Sequence, residues 1–134
     1  MEGNRGEKKS YEKLIVWQNA YKIRRRIYQI TSRFPKNEMR RISQMRDAPR
    51  SVKQNIQEGY ARASLGVYIY SLTIAQGSLA ELSGDILDCF DDKLINEKEY
   101  EKLNELIGKT QYLFKRLVQS LVKKQEEGSW VKYK

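Results

Sequence analysis

The chain reads as an all-α protein, an antiparallel up-down-up-down bundle of four helices, and three observations predict it. Apolar residues recur at spacings of three and four through four separate segments. Short polar or proline-containing turns separate those segments, and nowhere does strict strand-like alternation appear. At 134 residues with 40% hydrophobic content there is material for one core, so a single domain over 11–124 is expected between a flexible arm (1–10) and a flexible tail (125–134).

The first helix starts near Tyr11. Val16, Ala20, Ile23, Ile27, Ile30 and Phe34 form its main apolar strip, and Leu14, Trp17, Tyr21 and Tyr28 form an adjoining one. So wide an arc leaves one strip for the core and the other for a neighbour. Trp17 and Tyr21 are therefore candidates for a subunit interface, and the alternative for Trp17 is to complete the core of its own protomer. Phe34-Pro35 ends the helix, because the residue before proline is disfavoured in helical geometry.

The second helix spans about 38–63 on Ile42, Met45, Val52, Ile56, Gly59 or Tyr60, and Ala63. Periodicity resumes in phase beyond Pro49, which predicts a kink there rather than a break into two helices. After Ser64-Leu65-Gly66, a third helix carries Tyr68, Leu72, Ala75, Leu79, Leu82, Ile86 and Cys89 at strict four-three spacing. Its small residues, including Gly77, Ser78, Ala80 and Gly84, permit a neighbouring helix to come close. Asn96 with Glu99 three residues on has the form of a capping box. The fourth helix follows on Leu103, Ile107, Thr110, Phe114, Leu117 and Leu121, and fades at Lys123-Lys124.

Charge is segregated along the chain. Residues 1–64 carry 16 basic and 6 acidic side chains, 65–105 carry 3 and 9, and 106–134 carry 7 and 2, for a net +9. A positive region of that size attracts phosphate. Arg46, Arg50 and Lys53, with Gln57, fall at i, i+4, i+7 and i+11 on one face of helix two, out of phase with its apolar stripe. Arg24, Arg25 and Arg26, with Arg33, Lys36, Arg40 and Arg41 around the turn, extend that surface, and the competing reading is a merely solvated face. Tyr60 and Tyr68 at helical spacing are expected to pack rather than stack on bases.

Ordinary catalysis has few candidates. There is no histidine, one cysteine, and no glycine-rich phosphate loop, so no catalytic residue, metal ligand or cofactor site is expected, and the chain reads as not an enzyme. Asp85, Asp88, Asp91 and Asp92 lack the alternation and turn glycine of a calcium loop and read as a solvated helix end. Glu58 and Glu81, a carboxylate pair in the two strings, invite an acid–base reading, but structural ion pairs with Arg46 or Arg62 are expected of them instead. With no apolar run long enough to span a bilayer and no secretory-type start, a cytoplasmic location without membrane contact is expected.

Two strings carry more than composition. Asn55-Ile56-Gln57-Glu58-Gly59 and Ala75-Gln76-Gly77-Ser78-Leu79-Ala80-Glu81-Leu82, together with Val16-Trp17-Gln18, Phe34-Pro35 and Gln44-Met45-Arg46 in that order, resemble the 23S ribosomal RNA intervening-sequence proteins over roughly residues 11–122. Arg40-Arg41-Ile42, Ala48-Pro49 and Lys53 depart from the usual pattern of that family. The resemblance implies a homopentameric barrel of four-helix protomers. It also implies kinship with the accessory proteins of diversity-generating retroelements, which bind a reverse transcriptase and nucleic acid. The function expected from residues and resemblance together is a non-enzymatic, oligomeric RNA- or DNA-binding accessory protein. The alternative is a scaffold that docks an acidic protein partner.

Overall fold

The computed structural model describes residues 10–62 and 64–128. Four α-helices account for most of them: α1 (Ile15–Thr31), α2 (Met39–Ala61), α3 (Leu65–Asp91) and α4 (Glu97–Glu127), with no strand among the described residues. Most of the expected arm, Ala63 of the expected second stripe, and the Trp130 end of the tail lie outside the described residues.

Local chemistry sets the boundaries. A single 3-10 turn, Ser10–Lys13, leads into α1 and is tied to it by Gln18, whose Nε2 donates to the Glu12 carbonyl at 3.0 Å. Pro35 then holds extended backbone between α1 and a short 3-10 turn at Lys36–Glu38. α2 runs unbroken through the buried Pro49. Its cost there is one missing amide donor, and the Met45 carbonyl loses its helical partner.

α3 ends in a Schellman motif: the Lys93 amide donates to the Phe90 carbonyl (3.0 Å) and the Leu94 amide to the Cys89 carbonyl (2.9 Å). The motif forces Lys93 to φ 63°, a conformation that glycine adopts without strain. The expected capping box opens α4, with Glu99 N–H donating to Asn96 Oδ1 at 2.8 Å and Asn96 N–H to Glu99 Oε1 at 3.0 Å. α4 continues past its expected end at Lys124 and stops at Glu127, where Gly128 takes φ 67°. Lys123 and Lys124 therefore sit in its last turns and not beyond it.

The helices enclose one core. α1 packs on α2 and α4, and α3 packs on the same two, so α1 and α3 lie on a diagonal. The main strip of α1 is buried from Val16 to Ile30, Phe34 is buried in the turn beyond the helix, which ends at Thr31 rather than at Phe34, and every residue of the α3 seam, Tyr68 to Cys89, is buried. Along α2 and α3 the contacts run in opposite order: Met45 Sδ meets Cys89 Sγ at 3.4 Å, Ser51 Oγ meets Ser78 Oγ at 3.1 Å, and Gly59 meets Ser71.

The two signature strings acquire a physical meaning here. Asn55 Nδ2 returns a hydrogen bond to the Ser51 carbonyl (2.9 Å), Ile56 is fully buried, and Gly59 lies so close to α3 that a Cβ on it would stand 2.7 Å from Ser71 Cβ. Gly77 and Gly84 behave differently. A Cβ on either would meet open space, so these small residues face away from the protomer, and close approach to α2 is made by Ser71 and Ser78 instead. Glu58 and Glu81 are both exposed, and Arg46 turns to α1 rather than to either carboxylate.

Candidate nucleic-acid interface

The second apolar strip of α1 and the basic stripe of α2 meet. Trp17 and Tyr21, one turn apart, stack with centroids 5.7 Å apart and planes within 3°, and Tyr11 closes edge-on against Trp17 at 5.7 Å. Across from them α2 presents Gln57, whose Oε1 accepts the Trp17 indole N–H at 3.0 Å, and Lys53, whose Nζ lies 5.2 Å from the Trp17 ring and 5.0 Å from the Tyr21 ring. Two helical turns on, Tyr28 receives two guanidinium groups, Arg24 at 4.7 Å and Arg46 at 4.3 Å. Arg46 Nε also donates to Thr31 Oγ1 at 2.9 Å, and Thr31 in turn donates to the Ile27 carbonyl at 2.6 Å.

This changes the expected picture of the basic stripe. Arg46, Lys53 and Gln57 do not stand out from α2 into water; they are half-buried across α1, and only Arg50 of that row is exposed. The geometry still suits binding. A cation over an aromatic face is held in place by the ring quadrupole at roughly 0.5–1 kcal/mol and keeps its full charge, whereas a carboxylate partner would cancel it.

The remaining cations divide into two groups. Arg33 is taken by Glu99 through two contacts of 2.8 and 2.9 Å. Arg41 is taken by Glu38 at 2.8 Å and Asp92 at 2.9 Å; burial works against its charge, but Asp92, Cys89 and Glu38 outweigh that and hold it protonated more firmly than an ordinary arginine. Neither offers the net positive charge expected of it, because neighbouring carboxylates cancel it. Arg25, Arg26, Lys36, Arg40 and Arg50 are exposed, with Arg25 leaning 5.9 Å from the Tyr21 ring.

α3 supplies the opposite sign. It holds no lysine or arginine along its whole length, and its C-terminal third carries Asp85, Asp88 and Asp91. Burial pushes the Asp85 carboxyl upward, opposed by Gln44 Nε2 at 3.2 and 3.3 Å. Cys89 is fully buried, and burial raises its thiol above the ordinary range, as befits a packed residue rather than a nucleophile. No cluster of metal-ligating side chains occurs among the described residues. Tyr60 and Tyr68 pack edge-to-face at 5.9 Å and 90°, and burial, then Tyr60, lifts the Tyr68 hydroxyl to about 12.

Trp17 is 8% exposed, spent on Tyr11, Tyr21, Gln57 and Lys53 inside its own protomer. The large apolar side chains that do reach the surface include Val67, Tyr70, Ile74 and Leu87, all on the outer side of α3, where Gly77 and Gly84 also open. Sequence reasoning gave that face no role. The available signal was the second stripe of α3, offset from the seam and free of cations. Tyr28 as a platform for two arginines was equally unforeseen, since pairing across helices leaves no trace in either helix alone.

The model of a family described as 23S rRNA-intervening sequence protein matches residues 12–116. No curated protein matches the chain. Among solved structures, a crystal structure of a protein with unknown function from the S23 ribosomal protein family of Bacteroides thetaiotaomicron is similar in fold, with a TM-score of 0.70 at 20% identity, covering 78% of this chain and 96% of that one. Among the described residues no helix is long and apolar enough to cross a membrane.

Proposed function

The chain belongs to the 23S rRNA-intervening sequence protein family, and from that starting point we propose that it is a non-enzymatic, oligomeric accessory protein that binds structured RNA or DNA through the α1–α2 surface. The observation that carries this reading is a pair of guanidinium groups held on an aromatic ring rather than on carboxylates, Arg24 and Arg46 on Tyr28, on the same surface as Lys53 over the Trp17 and Tyr21 rings. Arg25 beside Tyr21, Lys36 beside Tyr28 and Arg46, and Arg50 in the row of Arg46 and Lys53 add positive charge for phosphates on the same side, whereas Arg26 lies towards α4 with Glu99, and Arg40 lines grooves with the α3 carboxylates.

The protomer is read as an antiparallel up-down-up-down bundle, and the assembly as the homopentamer implied by the family resemblance. We place the subunit contact on the outer side of α3, with Val67, Tyr70, Ile74 and Leu87, rather than at Trp17, because a buried indole has no surface left to give. Repeating the positive surface around a ring raises affinity through effective concentration, so several weak contacts act as one strong one. A reverse transcriptase of a diversity-generating retroelement is the protein partner this reading names, and the cytoplasm its location.

The test is binding to a structured RNA and to a DNA duplex over a series of salt concentrations. Affinity should fall steeply with salt, and Arg25→Gln with Arg50→Gln should flatten the slope of log affinity against log salt by roughly 1 to 2. Binding indifferent to salt, or none at low salt, would remove the proposal. Light scattering checks the assembly, and Ile74→Lys should reduce the particle to smaller species without unfolding it.

A further inference from the structure

The turn between α1 and α2 holds an open groove of about 780 Å³, a volume within the usual range for small-ligand sites. Its walls combine chemistries seldom needed together by a helical turn. Met39 is 70% exposed and Tyr28 38% exposed, which makes an apolar side standing in water. Lys36 and Arg46 add two positive charges, and Asp47 a carboxylate. Arg46 is already oriented by Thr31 through Nε and by the Tyr28 ring, so its two terminal nitrogens keep the paired donors that suit a phosphate.

A phosphate alone has no use for Met39, and an acidic peptide side chain leaves the apolar wall uncovered. One nucleotide satisfies every part. We propose that this groove receives a single unpaired nucleotide of the bound nucleic acid, its base against Met39 and Tyr28 and its phosphate on Lys36 and Arg46. Asp47 then accepts from an exocyclic amine, which favours a cytosine, adenine or guanine over a uracil or thymine. The inference rests on the reading of the chain as a nucleic-acid binder and adds to it a preference for strands with unpaired bases.

The experiment compares a hairpin carrying an unpaired loop with a blunt duplex of equal length and charge, in RNA and DNA versions, by fluorescence anisotropy on the full chain. The hairpin should bind about 10-fold more tightly, the weight of one base against an apolar or aromatic surface. Met39→Ala, at a position too exposed to matter for folding, should erase that preference and leave duplex affinity unchanged. Asp47→Asn should lower the advantage of an amine-bearing loop base over uracil. Arg50→Ala, away from the groove, should weaken both ligands alike. Equal binding of hairpin and duplex, or a preference that survives Met39→Ala, overturns the inference while nucleic-acid binding stands. Failure of both ligands to bind at low salt overturns both readings.

Discussion

Replacing Gly59 with alanine probes the closest approach of α2 to α3. The new Cβ would lie 2.7 Å from Ser71 Cβ, 3.0 Å from Tyr68 Cδ1 and 3.1 Å from Ser71 Oγ. A Cβ cannot rotate out of the way, and Ser71 Cβ is as firmly attached to its own backbone, so the two helices must separate by several tenths of an ångström. Alanine gains about 1 kcal/mol over glycine inside a helix. Overpacking of a close contact costs roughly 1–3 kcal/mol, and this one lies at the short extreme, so a net loss of about 2 kcal/mol is expected. Ser71→Gly removes two of the three obstructing atoms and leaves only the edge of the Tyr68 ring, which can shift. In that background Gly59→Ala should stabilise the protein by up to about 1 kcal/mol. The coupling between the two positions is then roughly 2–3 kcal/mol, well above the few tenths found between independent sites. Urea unfolding followed by circular dichroism measures it, at one fixed protein concentration because assembly shifts apparent stability. If Gly59→Ala raises stability, or costs the same in both backgrounds, the close contact is not what holds glycine at this position.

Glu99 caps α4 and grips Arg33. Burial works to raise its pKa, but the Arg33 and Asn96 hydrogen bonds prevail and hold it below its ordinary 4.5. A carboxylate with a lowered folded pKa gives its full stabilisation above the ordinary value and loses it as pH falls through the folded one, so Glu99→Gln should cost under about 1 kcal/mol at neutral pH and flatten the decline in stability below about pH 4.5. Lys93→Gly relieves the positive φ of the Schellman turn and should raise stability by about 0.5–1 kcal/mol, read from the urea midpoint; an unchanged or lower midpoint would show that the Lys93 side chain contributes more than its backbone costs. Cys89 should resist thiol reagents in the native protein and react at the rate of global unfolding, and rapid native labelling would contradict its burial against Met45.

What a residue does to its own helix was plain in the sequence. The Asn96–Glu99 box and the seams of α1, α3 and α4 depend on spacings of three or four along one segment, and a helix imposes those spacings regardless of its neighbours; Pro35 marked the turn after α1, although the helix itself already ends at Thr31. Even the ends follow this logic, and α4 overran to Glu127 because lysines near a C-terminus favour a helix without terminating it, whereas Gly128 can adopt the closing left-handed turn.

Which stripe faces which neighbour is another matter. Residue spacing fixes the angle of a side chain about its own axis but carries no information about the direction from which a second helix arrives. Hence Arg46 and Lys53 read as solvent-facing until α1 was seen beneath them, Arg33 and Arg41 read as open until Glu99, Glu38 and Asp92 came alongside, and Gly77 read as a point of close approach although it faces open space, while Gly59 is the glycine pressed against Ser71. The sequence by itself determined the helices and their apolar faces, because those are interactions within a turn or two. Only the packing decided where the positive charge is cancelled and where it stays available, because the sign of the local field depends on groups brought from far along the chain.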